Sequence, residues 1–181
     1  MSDAATLVAG RDCGSCTMCC VVPAIDKPDI QKKPGAACRH CAGGCAIYET
    51  RPQVCRDYYC GWRRLGMLGE EWRPDKSGVF VELMAPVPPF TASAAASLTL
   101  VGNPLKTVRQ AWFVDFVIKG LKDELPLFLK LPGPPGYQGA MVLLNTRPMR
   151  EAAGARMRVK ELLEKALRGL SAYRFREQHF A

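Results

Sequence analysis

Nine cysteines fall between positions 13 and 60, in CGSCTMCCVVPAIDKPDIQKKPGAACRHCAGGCAIYETRPQVCRDYYC, and the rest of the 181-residue chain has none. Thiolates are soft metal ligands, and core packing gives no reason to crowd them so. Two cysteines separated by two residues can bite one metal, because the short loop brings both sulfurs within bonding reach. Cys13/Cys16, Cys16/Cys19 and Cys38/Cys41 all have that spacing. Cys16 and Cys38 are separated by 21 residues, just beyond the roughly 15–20 of paired CxxC zinc ribbons. A four-thiolate zinc site from Cys13, Cys16, Cys38 and Cys41 is one arrangement, leaving Cys19 or Cys20 with Cys45, Cys55 and Cys60 for a second. An iron–sulfur cluster is the other reading. CxxCxxC opens the bacterial ferredoxin run, but that run continues with three residues and Cys-Pro, whereas here Cys20 follows Cys19 at once and Val21 replaces the proline. Vicinal cysteines point their side chains apart, so the two serve different metals or one stays free. All nine cysteines are therefore candidate metal ligands, with Zn2+ or an iron–sulfur cluster as cofactor. His40, inside CRHC, is expected to point outward, and His179 has no partner pattern.

Composition narrows the setting. Lys and Arg number 25 against 17 Asp and Glu, a formal net charge of +8. A basic surface suits an acidic partner or nucleic acid, but a divalent ion in four thiolates carries about −2, so metal centres offset much of the excess. Nucleic acid therefore ranks well behind a metal ion and a protein as partner. Residues 1–12 hold two aspartates and no apolar core of a signal peptide. No run approaches the roughly 18 apolar residues of a membrane span, and no membrane partner is expected. The expected compartment is the cytoplasm, where reduced thiols bind metals more often than they form disulfides.

The residues Cys13, Cys16, Cys19 and Cys20, then Cys38, then Cys45, Ile47, Tyr48, Arg51, Pro52, Cys55, Arg56, Tyr58 and Cys60, match a longer pattern. In this the chain resembles the CxxCxxCC family, the YkgJ-type cysteine-cluster proteins described as zinc- or iron-chelating. Cys41 is a ninth thiol beyond that signature. The resemblance covers residues 13–62, with a weaker echo at Trp72–Ser77. It implies metal chelation by the cysteines. Some larger relatives are linked to lysine methylation of flagellin with an iron–sulfur centre. This chain shows no strand–glycine-rich turn–helix unit for S-adenosylmethionine, and that activity is not carried over. Arg51 and Arg56 lie among the cysteines as candidate cofactor-site residues behind the ligands, where their hydrogen bonds would hold the loop and tune the centre.

The elements that must position these residues are expected downstream. Residues 1–12 read as a tail, 13–62 as the metal-binding segment, 63–78 as a linker and 79–181 as a small α+β portion. Residues 13–60 lack clear periodicity, and Lys27-Pro28 and Lys33-Pro34-Gly35 mark loop; metal binding is expected to order them. Val79, Val81 and Leu83 alternate as a strand. After the loop APVPPFTASAAA, Leu98–Val101 forms a second. Asn103 caps and Pro104 opens a helix over Leu105–Lys122. Leu127, Leu129 and Leu131 give a third strand, and the apolar run Ala140–Leu144 a fourth, expected at the sheet's centre. A last helix spans Arg147–Leu170 with its stripe at Val159, Leu162, Leu163, Ala166, Leu167 and Leu170. The order ββαββα describes an α+β fold: an irregular cysteine-rich segment packed on a small, mainly antiparallel sheet with two helices.

Three functions compete on these residues. A binding or accessory module with a closed thiolate centre is favoured. A redox or protein-modifying enzyme needs an open metal position, and a metallochaperone would use spare thiols. No catalytic triad or carboxylate pair is legible, and catalytic residues are left unassigned.

Overall fold

The computed structural model describes residues 7–86 and 94–180. The cysteine-rich segment carries helix α1 (Met18–Val21), the hairpin strands β1 (Ile25–Lys27) and β2 (Ile30–Lys32), and helices α2 (Gln53–Arg56) and α3 (Gly61–Arg64). Pro28-Asp29 turns the hairpin, whose register sets Ile25 against Lys32 and Lys27 against Ile30. A 3-10 turn at Glu70–Trp72 and helix α4 (Pro74–Ser77) lead into strand β3 (Val79–Met84). Then come β4 (Ala95–Leu100), α5 (Pro104–Thr107), α6 (Ala111–Lys122), β5 (Leu127–Leu131), β6 (Tyr137–Gln138), β7 (Ala140–Leu143), α7 (Arg147–Glu151), α8 (Arg156–Ser171) and β8 (Arg176–Glu177). The fold is α+β, as expected.

The main sheet has the order β3-β4-β5-β7. β3 pairs antiparallel with β4 and β5 antiparallel with β7, while β4 and β5 run parallel. Strand periodicity divides β3 between two faces. Val79 and Val81 join Ala96, Leu98, Leu100, Leu127 and Leu129 in the core beneath α6 and α8. Phe80 and Glu82, opposite Thr99 and Ser97, point to the other face, where the Tyr58 ring stacks on Phe80 at 6.2 Å. The cysteine-rich segment thus reaches the sheet through Tyr58. Gly61 lies against β3 so closely that an added Cβ would stand 2.5 Å from Val81 Cγ1.

Four expectations need correction. β4 begins at Ala95, taking in residues read as loop; residues 87–93 of that loop lie outside the described residues. β7 lies at the sheet's edge, paired only with β5, and Met141 is 53% exposed. Its apolar run does not mark a centre: β4 and β5 hold the central places, β4 with every residue buried. Both long helices are divided. Asn103 does cap the first, its Oδ1 accepting the Lys106 N–H at 3.0 Å, but α5 stops at Thr107 and Val108 turns into the core before α6 starts. The second breaks around Gly154, with Ala152 and Ala153 buried at the break. The simple ββαββα order is therefore replaced by paired helices in each helical position.

Residues 63–78, expected as a linker, place Leu68 and Trp72 in the core at 0% and 2% exposure. The Trp72 ring lies 4.6 Å from Phe116, 4.7 Å from Trp112 and 5.9 Å from Phe113, all on α6. Such an aromatic cluster buries large area and adds directional ring contacts. Of the expected tail, residues 7–12 are anchored. Val8 N–H donates to Arg63 O at 2.9 Å, and the Arg11 guanidinium donates to the carbonyls of Trp62, Leu65 and Leu68. No helix among the described residues is long and apolar enough to cross a membrane.

Candidate metal centre

Short turns place the thiols. Cys16 N–H donates to Cys13 O at 2.8 Å, with Gly14 between them at a positive φ of 48°. Cys19 and Cys20 ride on α1, and Cys38 N–H reaches back to Cys20 O at 2.8 Å. Cys41 N–H bonds Cys38 O at 2.9 Å, and Cys41 faces Cys45 across an isolated antiparallel bridge turned by Gly43 and Gly44. Cys55 lies on α2, and Cys60 immediately precedes α3.

Seven thiols, those of Cys13, Cys16, Cys19, Cys20, Cys38, Cys45 and Cys55, line one cavity of about 280 Å³. Its other wall is apolar and aromatic, with Ile25, Ile30, Ile47, Val54, Tyr48, Tyr58 and Tyr59, and Glu82 from the sheet also borders it. Cys41 and Cys60 stand outside the lining but remain electrically close to lining thiols: Cys20 and Cys38 bear on Cys41, Cys13 and Cys16 on Cys60. All nine cysteines are free thiols. Among the described residues, no three His, Cys, Asp or Glu side chains are placed as a group that holds a metal ion.

The electrostatics of this crowd disfavour ionisation at five of the thiols. Burial, reinforced by neighbouring thiolates, pushes Cys16, Cys41, Cys55 and Cys60 up from the ordinary thiol value. Cys19 rises furthest, because its S–H donates to Cys20 and is buried. Cys20 falls in consequence, as the thiolate that receives this bond and a second from Cys41. The vicinal pair therefore holds one proton tightly and gives up the other easily.

Arg51 lines the cavity, donates to Tyr48 O at 3.0 Å and lies over the Tyr48 ring at 3.8 Å. Arg56 is absent from the lining; its guanidinium donates to Gln53 Oε1 at 2.8 and 3.1 Å on the exposed side of α2. His40 borders the cavity while its Nε2 accepts from Arg39 Nε at 3.1 Å, and its backbone N–H points at Cys38 Sγ at 3.4 Å. Tyr58, half-buried and beside the Glu82 carboxylate, has its phenol pushed up by desolvation and that charge, and its O–H donates to Glu82 at 3.4 Å.

Lys32 is the residue that sequence reasoning missed. It is 5% exposed, and its Nζ donates to the carbonyls of Val21 at 2.8 Å, Ala36 at 3.1 Å and Lys33 at 3.4 Å. Burial lowers its pKa, and the thiolates of Cys38, Cys20, Cys19 and Cys41 oppose that shift. A buried ammonium thus stands between the α1 loop and the loop entering Cys38. The signal was local: Ile30 and Lys32 share one face of β2, and that face is buried.

No protein-family model, curated protein or solved structure matches this chain.

Proposed function

We propose that residues 13–60 bind a soft metal, as Zn2+ or an iron–sulfur centre, and that the chain acts as a metal-binding accessory module of the CxxCxxCC type. One observation carries this reading: seven of nine free thiols line a single cavity, where burial and neighbouring thiols penalise the ionisation of Cys16, Cys19 and Cys55. A bound cation offsets that penalty. The donor set fits such a group, since soft sulfur ligands are supplied in excess and no harder donor dominates the wall. When bound, the metal would supply cross-linking of the loops and, if it is iron–sulfur, electron transfer. The protein's own residues do the rest. Lys32 ties the α1 loop to the loop entering Cys38 and carries a compensating charge, Arg51 braces the Tyr48 turn, and Tyr58 packs the segment on Phe80. A protein partner and a cytoplasmic setting accompany this reading.

The cavity's size favours a second reading, a redox or protein-modifying centre. A lone tetrahedral ion, with metal–sulfur bonds of about 2.3 Å, encloses no water-sized space, whereas about 280 Å³ lies beside these thiols. Anaerobic, chelator-free purification followed by zinc, iron and acid-labile sulfide analysis tests both. Less than one metal equivalent per chain refutes the proposal. Sulfide with a visible band bleached by dithionite selects the iron–sulfur form, and a colourless, zinc-replete protein selects zinc.

A further inference from the structure

We propose that the thiols are divided between two metal centres, with the boundary falling inside the vicinal pair: Cys13, Cys16, Cys19 and Cys60 form one, and four of Cys20, Cys38, Cys41, Cys45 and Cys55 form the other. This rests on the metal-binding reading above and differs from what CxxC spacing suggests, which joins Cys13 and Cys16 to Cys38 and Cys41.

The first group is assembled by long-range backbone contacts. Residues 8–11 are laced to α3 and the residues just after it: Val8 N–H bonds Arg63 O, Arg11 donates to the carbonyls of Trp62, Leu65 and Leu68, and Arg63 donates back to Arg11 O. Cys13 follows that lacing by two residues and Cys60 precedes it by two, so the two ends of the segment are drawn together. Cys16 is held to Cys13 by its turn. The electrostatic neighbours agree. Cys13 and Cys16 are the thiols bearing on Cys60, and the same two bear on Cys19 after its vicinal partner.

The second group is joined by different contacts. Cys38 N–H is bonded to Cys20 O, Cys41 N–H to Cys38 O, and Cys41 is bridged to Cys45. Cys55, from α2, has Cys38, Cys20 and Cys45 as its thiol neighbours. The groups meet at Cys19 and Cys20, adjacent on α1 and joined side chain to side chain by the bond from the Cys19 S–H to Cys20 in the metal-free chain. Ligation draws each set of side chains inward, and every thiol that binds releases its proton to water.

Alkylation footprinting decides the division. The protein is purified anaerobically, metal and sulfide per chain are counted, and the metal-protected cysteines are located by mass spectrometry in wild type, Cys13→Ser and Cys38→Ser. The expected wild type holds two centres. Cys13→Ser loses one, with protection lost at Cys16, Cys19 and Cys60 and kept at Cys20, Cys45 and Cys55. Cys38→Ser shows the converse. Loss of protection at Cys38 and Cys41 in Cys13→Ser, with Cys60 still protected, overturns the division, and so does a wild type with a single centre. A wild type without metal overturns the underlying metal-binding reading instead. The near-UV circular dichroism of the buried Trp72 cluster checks that each variant keeps its sheet; where Cys13→Ser loses it, the same footprint in Cys16→Ser, with Cys13 and Cys60 as the informative positions, decides.

Discussion

Replacing Lys32 with methionine keeps the apolar stem and removes the ammonium from a site that is 5% exposed. Three carbonyls then lose their donor, two of them from firm bonds at 2.8 and 3.1 Å and one from a long contact at 3.4 Å. Hydrogen bonds to a charged group are worth about 1.5–3 kcal/mol each. The two firm bonds therefore contribute about 3–6 kcal/mol, part of which is offset because the variant no longer desolvates an ammonium. A net cost of about 2–4 kcal/mol is expected. It should fall locally, because all three acceptors lie in residues 21–36 and none on the main sheet. Native-state hydrogen exchange of the metal-free chain measures this at the Cys38 amide, which donates to Cys20 O. Its protection should fall by about 30- to 1,000-fold while amides of β4 and β5 change little. Lys32→Arg, which keeps the charge, should lose less. Unchanged protection at Cys38 in Lys32→Met would refute the clamp, and an equal loss across β4 would refute its local character.

Three other outcomes follow from the same structure. Trp72→Ala removes the indole packed on Trp112, Phe113 and Phe116 and should cost about 3–5 kcal/mol in denaturant unfolding, where a true linker residue would cost almost nothing. Asn145→Ala strands the buried Leu127 N–H, bonded at 2.7 Å, and the Leu125 carbonyl, bonded at 2.9 Å; a loss of about 2–4 kcal/mol is expected, with β5 and β7 amides exchanging first. The metal-free chain should become less stable at alkaline pH. Cys16, Cys19, Cys41, Cys55 and Cys60 have raised folded values, so the folded state binds more protons and their contribution is present below the ordinary thiol value of 9.0 and lost above it. Cys20 and Lys32, lowered, act in the opposite sense. With five groups against two, the melting temperature should fall between pH 8 and 10; a rise across that window contradicts the buried-thiol picture.

What was legible in the sequence was whatever depends on near neighbours. The alternation Val79–Val81–Leu83 and Leu127–Leu129–Leu131 identifies strands because side chains two apart share a face. Asn103-Pro104 marks a helix start because one side chain satisfies one orphan amide three residues on. The CxxC turns are likewise local. Sheet order is not: β7 is more apolar than β4 yet lies at the edge, because order depends on which strands pair across the chain. The division of Leu105–Lys122 was equally hidden, since no glycine or proline stands at the break, where Val108 turns into the core.

For the cysteine segment the sequence by itself determined nine thiols, their short local turns and a vicinal pair. Which thiols are neighbours was decided only by tertiary structure. Arg11 and Arg63 bring Cys60 back toward Cys13 across about fifty residues, and the β1–β2 hairpin turns Lys32 inward between two cysteine loops. The first depends on hydrogen bonds between side chains and carbonyls more than fifty residues apart, which no local spacing encodes; the second depends on which face of the hairpin is buried.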